Sequence, residues 1–512
     1  MFARRHHLGQ AQRLLGWDQQ VLMPEGASEA RSETLAELAV LSHEMLTAQE
    51  TSEQLDAAER AGVEAEQDNA AGEIAMDAPD TVWRAANLRE MRRLHAHASA
   101  APAALVAALS KAEAKGDMAW RSARAEDDFP ALIPALTEIV ALQREAAAAK
   151  GEALGLAPYD ALLDQYEPGA RAARIDALFA ELAAFLPDFT EDVLARQAAR
   201  PTAPPLPGPF PIERQRQLAE RLMAALGFDG ARGRLDVSLH PFCGGADDDI
   251  RITTRYAEAD FTSALMGVLH ETGHALYEQG LPAAWRAQPV GRSRGMALHE
   301  SQSLFVEMQI CRSRAFLSFA APQFREAFGA APEDPAWSVD AFAARAHRVE
   351  RGLIRVDADE VTYPAHVILR YRLERALIAG DLAVADLPGA WAEQMEALVG
   401  VRPPEDRTGC LQDIHWPSGA FGYFPTYTLG ALAAAQLREA AEAALPTLWD
   451  DVASGDFAAL LGWLRGAVHG VASLGGDSDA ILRQATGAPL GVDAFRRHLE
   501  QRYGPDAAAG SP

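Results

Sequence analysis

Apolar residues recur at helical spacing through most of this chain, and that periodicity constrains its fold more than any other feature. The stretches RSETLAELAVLSHEMLTAQE (31–50) and ARIDALFAELAAFLPDFTEDVLARQAAR (173–200) are rich in Ala, Leu, Glu and Arg. Their apolar positions fall three and four apart, so each can bury one face and expose the other. The expected fold class is mainly α. One interruption is PTAPPLPGPFP, Pro201 to Pro211, whose six prolines cannot continue a helix. It separates a leading helical half, 1–200, from a second half, 212–505, that carries the polar motifs; DAAAGSP, 506–512, is expected to be a loose tail. A second interruption is GRLDVSLHPFCGGADDDIRITTRY, Gly233 to Tyr256. Alternating β-branched and polar residues there flank a Gly- and Asp-rich connection and predict a small antiparallel β element.

Several function classes fall away on composition. The formal net charge of -25, from 72 acidic against 47 basic residues, repels phosphate backbones and anionic lipid surfaces, so no nucleic-acid partner is expected. No apolar run approaches the roughly 18 to 20 residues of a membrane helix, and the opening MFARRHHLGQAQRLLGWDQQ lacks a signal-peptide core. Cys243, Cys311 and Cys410 are widely spaced and form no CxxC pair, which argues against a disulfide framework and against a cysteine-zinc site. A cytoplasmic address is expected.

The stretch VLHETGHALYEQG, Val268 to Gly280, holds two histidines four positions apart with a glutamate directly after the first. On a helix over Phe261–Gln279, His270 and His274 lie one turn apart on one face, so both imidazoles can reach one ion. Gly280 followed by Leu281-Pro282 supplies the stop. Glu271 beside the pair is placed to accept a proton from water, as a hydrolytic zinc site requires. A third ligand must come from another element. The strongest candidate is Glu300 in GMALHESQSLFVEMQICRSRAF, read as beginning a second helix, with His299 and Glu307 in competition and Glu278 weaker.

Further polar groups sit in stretches too apolar or proline-rich for ordinary surface. These are HPF at His240 to Phe242, DIRIT at Asp249 to Thr253, IRVDADE at Ile354 to Glu360, and GCLQDIHWPSGAFGYFPTYTLG at Gly409 to Gly430. With HETGH at His270 to His274 and HESQ at His299 to Gln302, this order resembles the carboxypeptidase Taq family of metallocarboxypeptidases, whose pattern is HPF, DxRxT, HExxH, HES(x)Q, (I/V)RxxAD and GxxQDxHW. WDQQVLMPEGASEAR and YDALLDQYEPGA extend the resemblance through the first half. Only sixteen residues precede Trp17, fewer than that family usually has, so a shortened first helix is expected.

The resemblance implies one catalytic unit over 1–512, an almost wholly helical protein cut by a deep central substrate groove. Residues 1–200 would form part of the groove wall and the metal would lie at its floor, usually in a homodimer. It makes His270, His274 and Glu300 the ligands of one divalent ion, zinc first and cobalt or manganese next, and Glu271 the general base. The expected activity is removal of single residues from the C-terminus of peptides with broad specificity. Tyr423 and Tyr427, ahead of His415, are candidate oxyanion donors. Arg355, then Arg251, is the candidate grip on the terminal carboxylate, although Asp357, Asp359 and Asp249 are near enough in sequence to pair with them instead. Substrate backbone is expected to add to the sheet edge near His240. A helical zinc oligopeptidase and a non-catalytic peptide-binding scaffold are the alternatives.

Overall fold

The computed structural model describes residues 1–66 and 74–505; the tail 506–512 lies outside the described residues. Long helices fill the leading half, among them Phe2–Val21, Ser28–Thr47, Asp80–Ala100, Ala103–Glu126, Phe129–Leu154 and Ala172–Ala198. Residues 201–211 form no helix. Their Phe210 is pinned into the second half, where its ring meets Phe261 at 5.0 Å and its backbone N–H donates to the Glu258 carbonyl at 2.8 Å. One apolar core runs across both halves and joins Trp120, Leu136 and Leu182 to Leu269, Leu276 and Leu432. Among the described residues no helix is long and apolar enough to cross a membrane.

The β element has three strands, β1 (Gly233–Val237), β2 (Cys243–Ala246) and β3 (Asp249–Thr254), in the order β1-β3-β2. β2 and β3 form the antiparallel hairpin, but β1 runs parallel to β3, with Leu235 opposite Ile252. The sheet is therefore mixed where an antiparallel one was expected. The segment SLHPF between β1 and β2 contains Pro241, which cannot extend the ladder. The chain crosses there to the far side of β3 before turning back, and β1 is left as a free edge.

The sheet precedes the helix Phe261–Gly280, which starts where the Asp260 side chain accepts from the Thr262 N–H at 2.8 Å and stops before Pro282. The next helix begins earlier than expected. It spans Met296–Leu304, its N-terminus held by the Glu167 carboxylate accepting from Ala297 N–H at 2.7 Å, so Glu300 lies inside it rather than at its start. It continues as π-helix over Phe305–Cys311. A cleft lined by Arg93, His97, Tyr166, Ser418 and Gly419 opens among the leading helices beside the 418–419 loop, which packs on them through Gln143 Nε2 donating to the Gly419 carbonyl at 2.9 Å. Tyr166 carries that cleft inward, meeting Tyr423 edge-to-face at 5.1 Å.

Candidate metal centre and active site

Two glycines set how close the site-bearing helices come. A β-carbon on Gly273, between the two histidines, would overlap the Gln302 carbonyl oxygen and stand 2.6 Å from the Ser303 Cα. A β-carbon on Gly430, in the helix Pro425–Ala444, would stand 2.8 Å from the Glu300 Cβ. With no side chain at either contact, the Met296–Leu304 helix is clamped between the other two and turns Glu300 toward the histidines.

Potential ligand atoms of His270, His274 and Glu300 all lie within 4.8 Å of one another. The Glu300 carboxylate is 3.4 Å from His274 Nε2 and 4.0 Å from His270 Nε2. Both Nδ1 atoms are tied back: His270 donates to Glu307 at 3.0 Å and His274 to the His299 carbonyl at 3.1 Å. This fixes the tautomer that leaves each Nε2 lone pair facing inward, the outer-shell pattern of metal-ligating histidines. The other candidate third ligands face elsewhere. Glu307 stands behind His270, while His299 stacks on His274 at 4.6 Å and donates to Glu278 at 2.9 Å.

Electrostatics also favour a cation here. In the protein alone burial disfavours charge on His270, but the Glu307 hydrogen bond and the charges of Glu300 and Glu271 overcome it and raise the group to about 10. Burial lowers His274 to about 4. Glu271 is raised to about 7, first by burial and then by Glu300 and Glu307 against the opposing effect of His270. Carboxylates outnumber cations at this point, and two imidazoles with one carboxylate are the donor set of an open catalytic zinc site. The residues fit a divalent ion.

The other expected site residues divide. Tyr423 and Tyr427 are half-buried neighbours, with ring centres 5.3 Å apart, and Tyr427 lies one turn before Gly430 and so near Glu300. The Tyr427 hydroxyl is 3.1 Å from His415 Nε2, and burial pushes His415 down to about 4, leaving it neutral. Arg355 is buried under the Tyr427 ring, its guanidinium 4.6 Å from the ring centre. It pairs with neither Asp357 nor Asp359: Nε and Nη2 donate to Asp413 at 3.1 and 2.9 Å, and Arg370 holds the other Asp413 oxygen at 2.6 Å. Two guanidiniums share one carboxylate, so the cluster keeps a surplus positive charge. Arg251 is spent elsewhere, its fork on Asp249 at 2.9 and 2.6 Å and its face 4.3 Å from Trp17; Asp249, named beforehand as a competitor, wins it. His240 is exposed in the segment that crosses from β1 to β2, and the adjoining Pro241 approaches Gly267, one turn before His270.

Sequence reasoning did not anticipate Arg370, nor the part Asp413 plays. His366 and Arg370, four apart inside the apolar run YPAHVILRYRL, were a legible sign of a buried polar cluster.

The sequence matches the family described as carboxypeptidase Taq (M32) metallopeptidase over residues 1–503. It is 39% identical over 502 residues to thermostable carboxypeptidase 1 of Thermus thermophilus, covering 96% of this chain and 94% of that protein. Against carboxypeptidase 1 of Bacillus subtilis the identity is 33%, covering 98% of this chain and 96% of that one. Among solved structures, Trypanosoma cruzi metallocarboxypeptidase 1 superposes with a TM-score of 0.92 at 39% identity, over 98% of this chain and 97% of that chain. The M32 carboxypeptidase of Deinococcus radiodurans superposes with a TM-score of 0.89 at 36% identity, over the same shares of 98% and 97%. Matches of this extent and identity establish that the chain belongs to the carboxypeptidase Taq (M32) family and is a metallocarboxypeptidase.

Proposed function

We propose that this enzyme removes single residues from the C-terminus of peptides with broad specificity, using one zinc ion held by His270, His274 and Glu300. The observation that carries this reading is the convergence of those three side chains within 4.8 Å. When bound, the ion supplies Lewis-acid polarisation of the scissile carbonyl and activation of water. Glu271, next to His270 and buried, takes the proton and returns it to the leaving amine. Tyr423 donates a hydrogen bond to the developing oxyanion, backed by Tyr427, which hydrogen-bonds to it and is itself engaged by His415. Arg355 holds the substrate's terminal carboxylate, supported by the positive surplus it shares with Arg370 over Asp413. Arg251, its fork on Asp249 and its face against Trp17, remains the second candidate for that carboxylate. Substrate backbone runs along the free edge of β1 past His240.

A short unstructured peptide and its C-terminal amide, each incubated with zinc-loaded enzyme and followed by mass spectrometry, test this. Single-residue laddering of the free acid alone is expected, and a chelator abolishes it. Internal cuts in both peptides would replace this reading with an oligopeptidase.

A further inference from the structure

Behind His270 runs a buried chain of alternating charges that the hydrolytic chemistry does not use. Glu307 accepts from His270 Nδ1 at 3.0 Å with one oxygen and from Arg312 Nη2 at 2.5 Å with the other. The Arg312 Nε lies 3.9 Å from Glu360, which is wholly buried. Glu360 in turn accepts from His498 Nε2 at 2.8 Å and from Arg502 Nη1 at 2.6 Å, both on the C-terminal helix Asp493–Tyr503. The same Arg502 nitrogen donates to the Met308 carbonyl at 2.6 Å. Met308 adjoins Glu307 within the π-helical segment, so the C-terminal helix grips both the far end of the chain and the backbone beside its start.

Each link is the counter-ion of the one before. Glu307 accepts from the imidazole N–H with one oxygen, and Arg312 holds the other oxygen in place. Arg312 is itself mostly buried and needs Glu360, and Glu360 without water needs Arg502 and His498. A buried ion chain is a weak source of stability, since apolar side chains of equal volume often serve as well. Its better use is to fix one geometry, and here the geometry at its end is that of a metal ligand. The π-helical turn, a feature that recurs at functional sites, gives Glu307 its place in the chain.

We propose that Arg312 and Glu360 are positioning residues of the metal centre, holding the His270 ring through Glu307 and coupling the C-terminal helix to metal affinity. This rests on the reading of His270, His274 and Glu300 as ligands. The test is zinc affinity of the full-length protein, measured by chelator competition, for wild type, Arg312→Gln, Arg312→Lys, Glu360→Gln, His270→Ala and Tyr371→Phe. Tyr371→Phe is the control that loses partly buried hydrogen bonds, to Asp176 and the Ala172 carbonyl, away from the chain. Melting of the metal-free proteins is followed in parallel, so that affinity is compared among folded molecules. Arg312→Gln and Glu360→Gln are expected to weaken zinc about 10- to 100-fold, the range for residues behind a ligand. Arg312→Lys, which keeps the charge, should recover part of that loss, and Tyr371→Phe should bind as wild type. Wild-type zinc affinity in Arg312→Gln and Glu360→Gln, alongside failure of His270→Ala, would overturn the proposal and leave the metal centre standing. Undiminished binding by His270→Ala would overturn the centre itself.

Discussion

Gly273 lies so close to Gln302 that its missing side chain is what lets the HExxH helix touch the helix carrying Glu300. A methyl group there meets backbone, which cannot swing aside as a flexible side chain would. Gly273→Ala should push the two helices apart, destabilise the protein by about 1 to 3 kcal/mol as overpacking does, and draw Glu300 away from the histidines. The expected result is a lower melting temperature and reduced zinc retention together. Zinc retained at wild-type affinity would show that the ligand geometry does not depend on this contact.

Glu271→Gln separates proton transfer from metal binding. The side chain is not among the three converging ligands, and the amide preserves its shape. Zinc content should be unchanged while kcat falls about 10²- to 10⁴-fold, the usual range for loss of a general acid–base. Full activity in this variant would remove Glu271 from the mechanism, and loss of zinc would make it a ligand.

The limits of sequence legibility follow from the same geometry. His270 and His274 are four apart on one helix, so helix geometry alone puts them on one face, and the motif is readable without tertiary information. Which of Glu278, His299, Glu300 and Glu307 joins them depends on how two helices cross at Gly273 and Gly430. Composition and periodicity do not encode that crossing, so the residues alone left His299 and Glu307 in competition with Glu300, and the resemblance to the family chose among them. Arg355 is a similar case: Asp357 and Asp359 are its sequence neighbours, yet the carboxylate that reaches it is Asp413, 58 residues away. Asp359 is occupied instead in accepting from the backbone N–H groups of Val361, Thr362 and Glu350. The parallel placement of β1 was hidden for a related reason, since the period-two pattern fixes which face a residue takes but not the direction of the neighbouring strand.

Arg355→Gln tests the carboxylate grip. A charge-assisted hydrogen bond contributes about 1.5 to 3 kcal/mol, so kcat/KM on a free-acid peptide should fall about 10- to 100-fold, mostly through KM. Hydrolysis of the matching amide, already poor, should hardly change. Arg355→Lys keeps the charge without the two-pronged fork and should fall between the two. An equal loss on acid and amide would mean that Arg355 only braces Asp413 and Tyr427.

The buried carboxyl of Glu374 gives a pH signature away from the metal ligands. It accepts from Tyr159 Oη at 2.6 Å, Trp416 Nε1 at 2.8 Å and Gly422 N–H at 2.6 Å, yet burial outweighs those bonds and raises it to about 7. The folded state thus holds this proton more tightly than the unfolded chain, whose glutamates titrate near about 4.3. Its contribution to stability is fully present below that value and is lost as pH rises through about 7. Glu374→Gln cannot titrate. Denaturant unfolding of the metal-free protein between pH 5 and 7 should therefore show a shallower decline for the variant than for wild type, by about 1.4 kcal/mol per pH unit in the middle of the window. Parallel stability curves for the two proteins would mean that the three donors keep Glu374 ionised throughout.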